Sequence, residues 1–132
     1  MPALNFQDRF ADLVASGLKP HTIRRRRKHP IKPGQTLYLY RGMRTALCRR
    51  LRKPLPCLQV TPIQIDAIRR TVRLGSGSLY YPYEMEVMLT DPETLTLAKR
   101  DGFRDLDDFY AWFGNTHGGQ FVGDLIEWRP SS

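Results

Sequence analysis

In the N-terminal segment, apolar residues recur at the period of an amphipathic helix. Five apolar side chains lie near the spacing of 3.6 residues: Leu4, Phe6, Phe10, Leu13 and Val14. Asn5, three residues before Asp8, predicts a capping pair at the helix start. Gly17 predicts the helix end, because glycine accepts the left-handed conformation that terminates helices. We therefore expect a helix that begins near Asn5 and ends at Gly17.

The segment after this helix is predicted to be extended. Proline disfavours helical geometry in the residue before it, and here Pro20 follows Lys19. Side chains alternate across a strand, so Thr22 and Arg24 would share one face. Ile23 would point to the other face and is the predicted core anchor of this strand.

The middle of the chain has the β-branched residues and the two-residue alternation that are typical of strands. A type II turn is predicted at Pro33 and Gly34, ahead of the first strand. Pro62 predicts an edge or a bulge, because proline cannot donate to a strand ladder. Strands are predicted over 36–42, 57–68 and 70–74, followed by a turn over 75–78. The apolar spacing over 43–51 fits either a strand or a short helix, and a strand is the preferred prediction.

The C-terminal third is predicted to contain two helices and a strand. The first helix would run from Asp91 to Gly102, since Pro92 suits a first helical turn and glycine suits a helix end. The second helix is predicted over 105–114, and a last strand over 121–128. The second helix would bury Leu106, Phe109 and Phe113.

These elements predict an α+β fold class. A chain of 132 residues suits one hydrophobic core, so we expect a single domain over residues 1–132. The sequence has no apolar run of about 18 residues, and its N-terminus lacks a basic segment followed by an apolar one. A soluble, unsecreted and cytoplasmic protein without membrane contact is predicted. Cys48 and Cys57 are too few for a disulfide framework and are expected to be reduced thiols.

Charge is distributed unevenly along the chain. Residues 1–53 contain 14 Lys and Arg against two Asp, a formal charge of +12, whereas residues 54–132 contain 7 basic and 11 acidic residues, or −4. Such a basic half produces a local field that attracts phosphate backbones or other anionic surfaces. Solubility alone is the alternative explanation.

The common catalytic motifs do not occur in this sequence. It has no glycine-rich nucleotide loop, nucleophile elbow or zinc-protease motif. The histidines and cysteines lack a recognisable ligand spacing, so neither a metal nor a cofactor is predicted. His117, in a glycine-rich run, is predicted to be a surface or hydrogen-bonding residue. Trp112 and Trp128 are predicted core residues. An aromatic cluster would cover a core edge or stack on bases: Tyr80, Tyr81 and Tyr83.

One run after the first helix has a specific order, Gly-x-Lys-x-x-Thr-Ile-Arg, at residues 17–24. It is followed by KPGQTLYLY at 32–40 and, ahead of a tryptophan-containing helix, by AKRDGF at 98–103. Over nearly the whole chain this order resembles an ASCH domain, in particular the small stand-alone versions of bacteria and their phages. The resemblance implies a PUA-like fold, a mixed β pseudo-barrel with flanking helices, and binding of RNA or of modified nucleobases.

The resemblance also implies a candidate catalytic set. One small bacterial group of ASCH proteins is an amidohydrolase that removes acetyl from N4-acetylcytidine with a lysine, a threonine and a glutamate. Lys19 and Thr22 match the first two positions, and Asp101 falls where the glutamate aligns, one methylene shorter. In such a site Thr22 is the nucleophile, Lys19 the base and Asp101 the supporting acid. Burial and the cations from Arg24 to Lys28 would lower the pKa of Lys19, whereas Asp101 would raise it.

The predicted function is binding of RNA or of a modified nucleotide through the segment from Lys19 to Lys28. Two alternatives stay open: an N4-acetylcytidine amidohydrolase or related ribonuclease-type activity, and a protein-binding regulator that uses its acidic C-terminal half. A solvated turn and an ordinary strand are the purely structural explanation of Lys19 and Thr22. The predicted nucleic-acid-binding residues are Arg24, Arg25, Arg26, Arg27, Lys28, Tyr40 and Arg44.

Overall fold

A computed structural model describes residues 2–75 and 87–128, in which eight strands combine with three helices. This arrangement confirms the α+β class. No helix in these two ranges is long and apolar enough to cross a membrane. The elements in chain order are β1 (Ala3–Phe6), α1 (Asp8–Ser16), β2 (His21–Arg24), β3 (Thr36–Arg41), β4 (Arg49–Arg50), β5 (Leu55–Asp66), β6 (Thr71–Leu74), β7 (Val87–Met88), α2 (Asp91–Arg100), α3 (Leu106–His117) and β8 (Gln120–Trp128).

The long strand β5 organises the sheet. It pairs antiparallel with β3 near its start, with β6 near its end, and with β8 along most of its length. The short strand β2 pairs antiparallel with β8, and β1 pairs parallel with β3. The pairings among the described residues do not close into a ring. Strand β2 is therefore held in the sheet through β8 alone.

The predicted start of the first helix is wrong. Leu4 and Phe6 are buried in β1, two residues apart, which is the spacing of one face of a strand. Asn5 is not a cap, because its Oδ1 accepts a hydrogen bond from the Met43 backbone N–H at 3.0 Å. The helix begins at Asp8 instead. Its end is predicted correctly, since Gly17 has the left-handed conformation with φ of 85°.

The strand predicted over 43–51 is mostly a turn. Only Arg49 and Arg50 are extended, as β4. Gly42 and Arg44 both have positive φ, which no strand residue adopts. The Thr45 hydroxyl also donates to the Gly42 carbonyl at 2.6 Å, so this carbonyl bonds a nearby side chain instead of a neighbouring strand.

The remaining elements agree with the predictions to within a few residues. The second and third helices form, although α3 continues past Gly114 to His117. The irregularity in β5 lies between Cys57 and Gln59, while Pro62 pairs in register with β8. Cys48 and Cys57 are both free. The tyrosine cluster, Tyr80, Tyr81 and Tyr83, lies outside the described residues.

Aromatic side chains join the helices to the sheet and form much of the core. Phe109 and Phe113 of α3 are buried as predicted, whereas Leu106 is only partly buried. Phe113 meets Phe121 of β8 with ring centroids 5.2 Å apart. The Phe103 ring, just after α2, lies 5.4 Å from that of Phe10 in α1. The first contact packs α3 against β8, and the second joins the end of α2 to α1. Trp128 is buried as predicted, and Trp112 is partly buried.

Gly123 of β8 lies against the backbone at the end of β2, and Gly123→Ala should destabilise the protein. A Cβ there would collide with the Arg24 carbonyl and approach the Phe121 ring to 2.7 Å. We expect a loss of about 1–3 kcal/mol in the free energy of unfolding, measured with urea.

Gly114→Ala is the matched control, because its Cβ would meet only Ala67 at an ordinary 3.5 Å. Alanine also favours a helix, so this variant should be as stable as the original protein or up to about 1 kcal/mol more stable. Equal effects of the two substitutions would contradict the proposed close approach of β2 to β8.

Candidate functional site

A buried lysine and a buried aspartate meet at the centre of the candidate site. The Nζ of Lys19 lies 2.5 Å from Oδ1 of Asp101 and also donates to the Asp101 backbone carbonyl at 2.7 Å. The two residues are only 3% and 4% exposed. The aspartate side chain therefore reaches the lysine although it is one methylene shorter than a glutamate.

Local backbone structure brings these two residues together. Lys19 follows the glycine that ends α1, and its backbone N–H donates to the Leu13 carbonyl at 3.0 Å. Asp101 caps the C-terminus of α2. The next residue, Gly102, has a φ of 103°, and a Cβ there would approach Phe10 of α1 to 2.9 Å. Glycine thus lets the end of α2 pack tightly against α1, which places Asp101 beside Lys19.

Burial moves both pKa values of this pair toward the uncharged forms. It lowers the pKa of Lys19 and is opposed by the attraction of Asp101, while the charge of Arg24 lowers this pKa further. It raises the pKa of Asp101, against the opposing effect of Lys19. The sequence predicted that burial and neighbouring cations lower the pKa of Lys19, and burial has the larger effect. A lysine in this setting is able to act as a proton acceptor.

Thr22 and Arg24 lie side by side, as their spacing predicts. The Nε of Arg24 donates to Oγ1 of Thr22 at 3.1 Å, and its Nη2 donates to the Asn5 carbonyl at 2.6 Å. The guanidinium also lies over the Phe6 ring, 4.7 Å from its centroid. Burial lowers the pKa of Arg24 to about 10, so it stays charged at neutral pH. The hydroxyl of Thr22 therefore has a fixed cation next to it.

These side chains line a cavity of about 400 Å³. Its polar part contains all three residues of the candidate catalytic set, together with Arg24 and Arg25. Its apolar wall is aromatic and consists of Phe6, Phe10, Phe103 and Trp112. A flat ring could lie against this wall while its polar edge meets the charged side chains.

Two members of the predicted nucleic-acid-binding set line this cavity, and the others lie outside it. Besides Arg24, the exposed Arg25 lines it and lies over the Phe121 ring at 5.5 Å. Arg26 turns away and pairs with the buried Asp124, at 3.0 Å. The remaining members are Arg27, which donates to the Ala3 carbonyl, the exposed Lys28, Tyr40 in β3, and Arg44 in the turn after β3.

His117 is a cavity residue that the sequence prediction placed in a turn. It is the last residue of α3, and its ring lies 4.6 Å from that of Phe121. Burial and the charge of Arg25 lower its pKa, so the imidazole is neutral at pH 7. Phe109, Phe113 and His117 are spaced four residues apart, which is the signal that extends the helix to this histidine.

His21 is a second histidine near the site. It is 3% exposed, its Nε2 lies 3.4 Å from Oδ1 of Asp101, and this nitrogen has no hydrogen-bond partner. Burial, with the charges of Lys19 and Arg100, lowers its pKa to about 3, against a smaller opposing effect of the Leu97 backbone. The sequence pattern predicted no role in the site for this histidine. No group of three metal-ligating residues is found in 2–75 or 87–128.

Comparisons with known proteins give no identification. No family model, curated protein or solved structure matches this chain. The ASCH and PUA-like assignments therefore depend on the motifs of residues 17–24, 32–40 and 98–103 and stay predictions.

The buried His21 should make the protein less stable in acid. Its pKa is about 3 in the fold and about 6.5 when exposed, so between these values the unfolded chain binds the extra proton. Stability therefore falls as pH decreases from 6.5, by roughly 1.4 kcal/mol per pH unit from this group. In His21→Leu, the free energy of unfolding, measured with urea, should change less with pH between about pH 6.5 and 4.5. The difference in slope should be about 1.4 kcal/mol per pH unit.

The matched control for this measurement is His29→Leu, because His29 is exposed. This variant should follow the pH dependence of the original protein. If His21→Leu follows it too, the histidine is not held neutral by burial.

Proposed function

We propose that this chain is an ASCH-type domain of PUA-like fold that binds RNA or a modified nucleotide. The observation that supports this function best is the cavity of about 400 Å³, which is lined by both aromatic and charged side chains. Cavities of roughly 300–1,000 Å³ hold small organic ligands. A single nucleobase fits this description, since it has a flat apolar face and a polar edge.

The contacts available to such a base follow from the lining residues. Its face would stack on Trp112 and Phe103, as bases stack on aromatic side chains in other proteins. Its edge would meet the Thr22 hydroxyl and the Lys19–Asp101 pair. The neutral His117 at the same cavity offers one further donor or acceptor.

The sugar-phosphate part of the ligand would lie toward Arg25. This guanidinium lines the cavity and is exposed, and the exposed Arg27 and Lys28 follow it in the chain. Cations of this kind bind phosphate without reading sequence. The excess of positive charge in residues 1–53 would attract a polyanion over a longer distance.

RNA affinity should fall with salt, and Arg25→Ala should reduce that dependence. Loss of one phosphate contact to a single strand lowers the slope of log affinity against log salt by about 0.7. We would measure it by fluorescence anisotropy with a labelled single-stranded RNA at several salt concentrations. Arg69→Ala is the charge-matched control, because Arg69 is exposed and does not line the cavity. Salt-independent affinity, or none, would reject RNA binding.

A second candidate function is hydrolysis of the N4-acyl group of an acylated cytidine. The observation that favours it is the hydrogen bond from Arg24 to the Thr22 hydroxyl, on a cavity that also contains Lys19 and Asp101. A neighbouring cation stabilises the alkoxide form of a hydroxyl and so assists a threonine nucleophile. Burial of Lys19 supports its role as the base.

The reaction would follow the chemistry of covalent amide hydrolysis. The Thr22 oxygen bonds to the acyl carbon while its proton moves to the Lys19 amine. The carbon–nitrogen bond then breaks, and the lysine returns the proton to N4 of the leaving cytidine. Water attacks the acyl-threonine ester, which releases acetate and restores the hydroxyl. Asp101 would orient the Lys19 amine throughout.

Lys19→Ala and Thr22→Ala should abolish release of acetate from N4-acetylcytidine. General base and nucleophile each contribute at least about 100-fold, so the loss should be of that order or larger. Chromatography of the nucleoside products would follow the reaction. Thr22→Ser, which keeps a hydroxyl, should retain part of the activity. No product from the original protein, or the same rate in both alanine variants, would reject the hydrolase.

A further inference from the structure

His21 is a buried neighbour of the Lys19–Asp101 pair and does not line the cavity. Its Nε2 is 3.4 Å from Oδ1 of Asp101. The same carboxyl oxygen is 2.5 Å from Nζ of Lys19. One oxygen of Asp101 therefore has the lysine nitrogen and an imidazole nitrogen as its neighbours.

Nε2 is the imidazole nitrogen whose protonation decides the contact with Asp101. It is buried and has no hydrogen-bond partner, although Oδ1 of Asp101 lies 3.4 Å away. A protonated Nε2 this close to a carboxylate would donate to it, so the missing hydrogen bond favours the tautomer with the proton on Nδ1. The effect of the Leu97 backbone, which raises the pKa of the ring, agrees with an N–H at Nδ1. A neutral imidazole carries one proton, so Nε2 is then the unprotonated acceptor.

Burial and the charged groups around His21 keep it neutral. Burial lowers the pKa of the imidazole most, and the charges of Lys19 and of Arg100, at the end of α2, lower it further. Glu127 of β8 is the register partner of His21 and is partly buried, which raises its own pKa. A proton between His21 and Asp101 therefore has to come from the carboxyl group.

The separation of 3.4 Å fits two acceptors that face each other without a proton. It is longer than a normal hydrogen bond involving a hydroxyl donor, which is about 2.7–2.8 Å. If the proton of the Lys19 ammonium moves to Oδ1 of Asp101, the new O–H can donate to Nε2 of His21. The lysine then remains as a neutral amine that still donates to Oδ1. The number of protons in the pair does not change.

We propose that His21 is a positioning residue whose Nε2 accepts a hydrogen bond from the Asp101 carboxyl group and thereby holds Lys19 as a free amine. The inference deepens the second candidate function, hydrolysis of an N4-acyl group, and rests on it for its meaning, because it supplies an unprotonated base at neutral pH in the same cavity. Without His21 the carboxyl would be more acidic, and its negative charge would keep Lys19 protonated.

The test measures protonation directly and needs no ligand. Two-bond ¹H–¹⁵N spectra of the full chain at pH 7 should show His21 protonated at Nδ1 and bare at Nε2. In His21→Leu the pKa of Lys19, followed through its ¹³Cε and ¹⁵Nζ shifts, should rise by about one unit. In His21→Gln, whose side-chain carbonyl can accept the same hydrogen bond, the rise should be smaller. His29→Leu, at an exposed position, should leave the titration of Lys19 unchanged.

Three results would overturn this role. One is a proton on Nε2 of the original protein, which is measurable even if the leucine variant fails to fold. The others are an unchanged or a lowered Lys19 pKa in His21→Leu. Absence of RNA binding and of deacetylation would instead reject the proposed function, and the two spectra would be unaffected. Failure of the proposed function and failure of the role of His21 are thus distinguishable.

Discussion

The contact between Lys19 and Asp101 is the constraint around which the site is arranged. It joins the connection between α1 and β2 to the C-terminus of α2, which are 82 residues apart in sequence. Each group loses its hydration on burial, and a buried charge without its partner destabilises a protein by roughly 3–5 kcal/mol. The pair is therefore tolerated only because both groups are present and the lysine has a second acceptor in the Asp101 carbonyl. A hydrophobic pair would fill this space at lower cost.

The neighbouring strand extends the same constraint to the rest of the cavity. β2 carries Thr22 and Arg24 into the site, yet it is only four residues long and pairs only with β8 among the described strands. Its position depends on the absence of a side chain at Gly123, which lets the two backbones come close. The burial of Arg24 is made possible by its three partners, the Thr22 hydroxyl, the Asn5 carbonyl and the Phe6 ring. The first strand of the chain thus helps to hold the second.

Local patterns in the sequence predicted much of this architecture. The end of α1 at Gly17, the start of α2 and the extended path of 21–24 all depend on residues within a few positions of each other. The predictions failed where contacts between residues far apart in the sequence determine the structure. Leu4 and Phe6 fit a helical period as well as a strand, and pairing with β3 selects the strand. His21 could not be related to Asp101, nor Trp112 to the cavity wall, because only tertiary packing brings them together.

The basic run after the motif shows why a count of charges does not define a binding surface. Arg24 and Arg25 both line the cavity, Arg24 with its guanidinium hydrogen-bonded to Asn5 and Arg25 exposed, whereas Arg26 pairs with the buried Asp124. Side chains alternate along a strand, and β2 ends at Arg24, so these consecutive arginines have different environments. Arg26 and Asp124 cancel one another's charge at short range, and the field that reaches a polyanion comes from the exposed cations that remain. A ligand at this cavity would therefore meet the guanidinium groups of Arg24 and Arg25, with the other exposed cations contributing through long-range attraction.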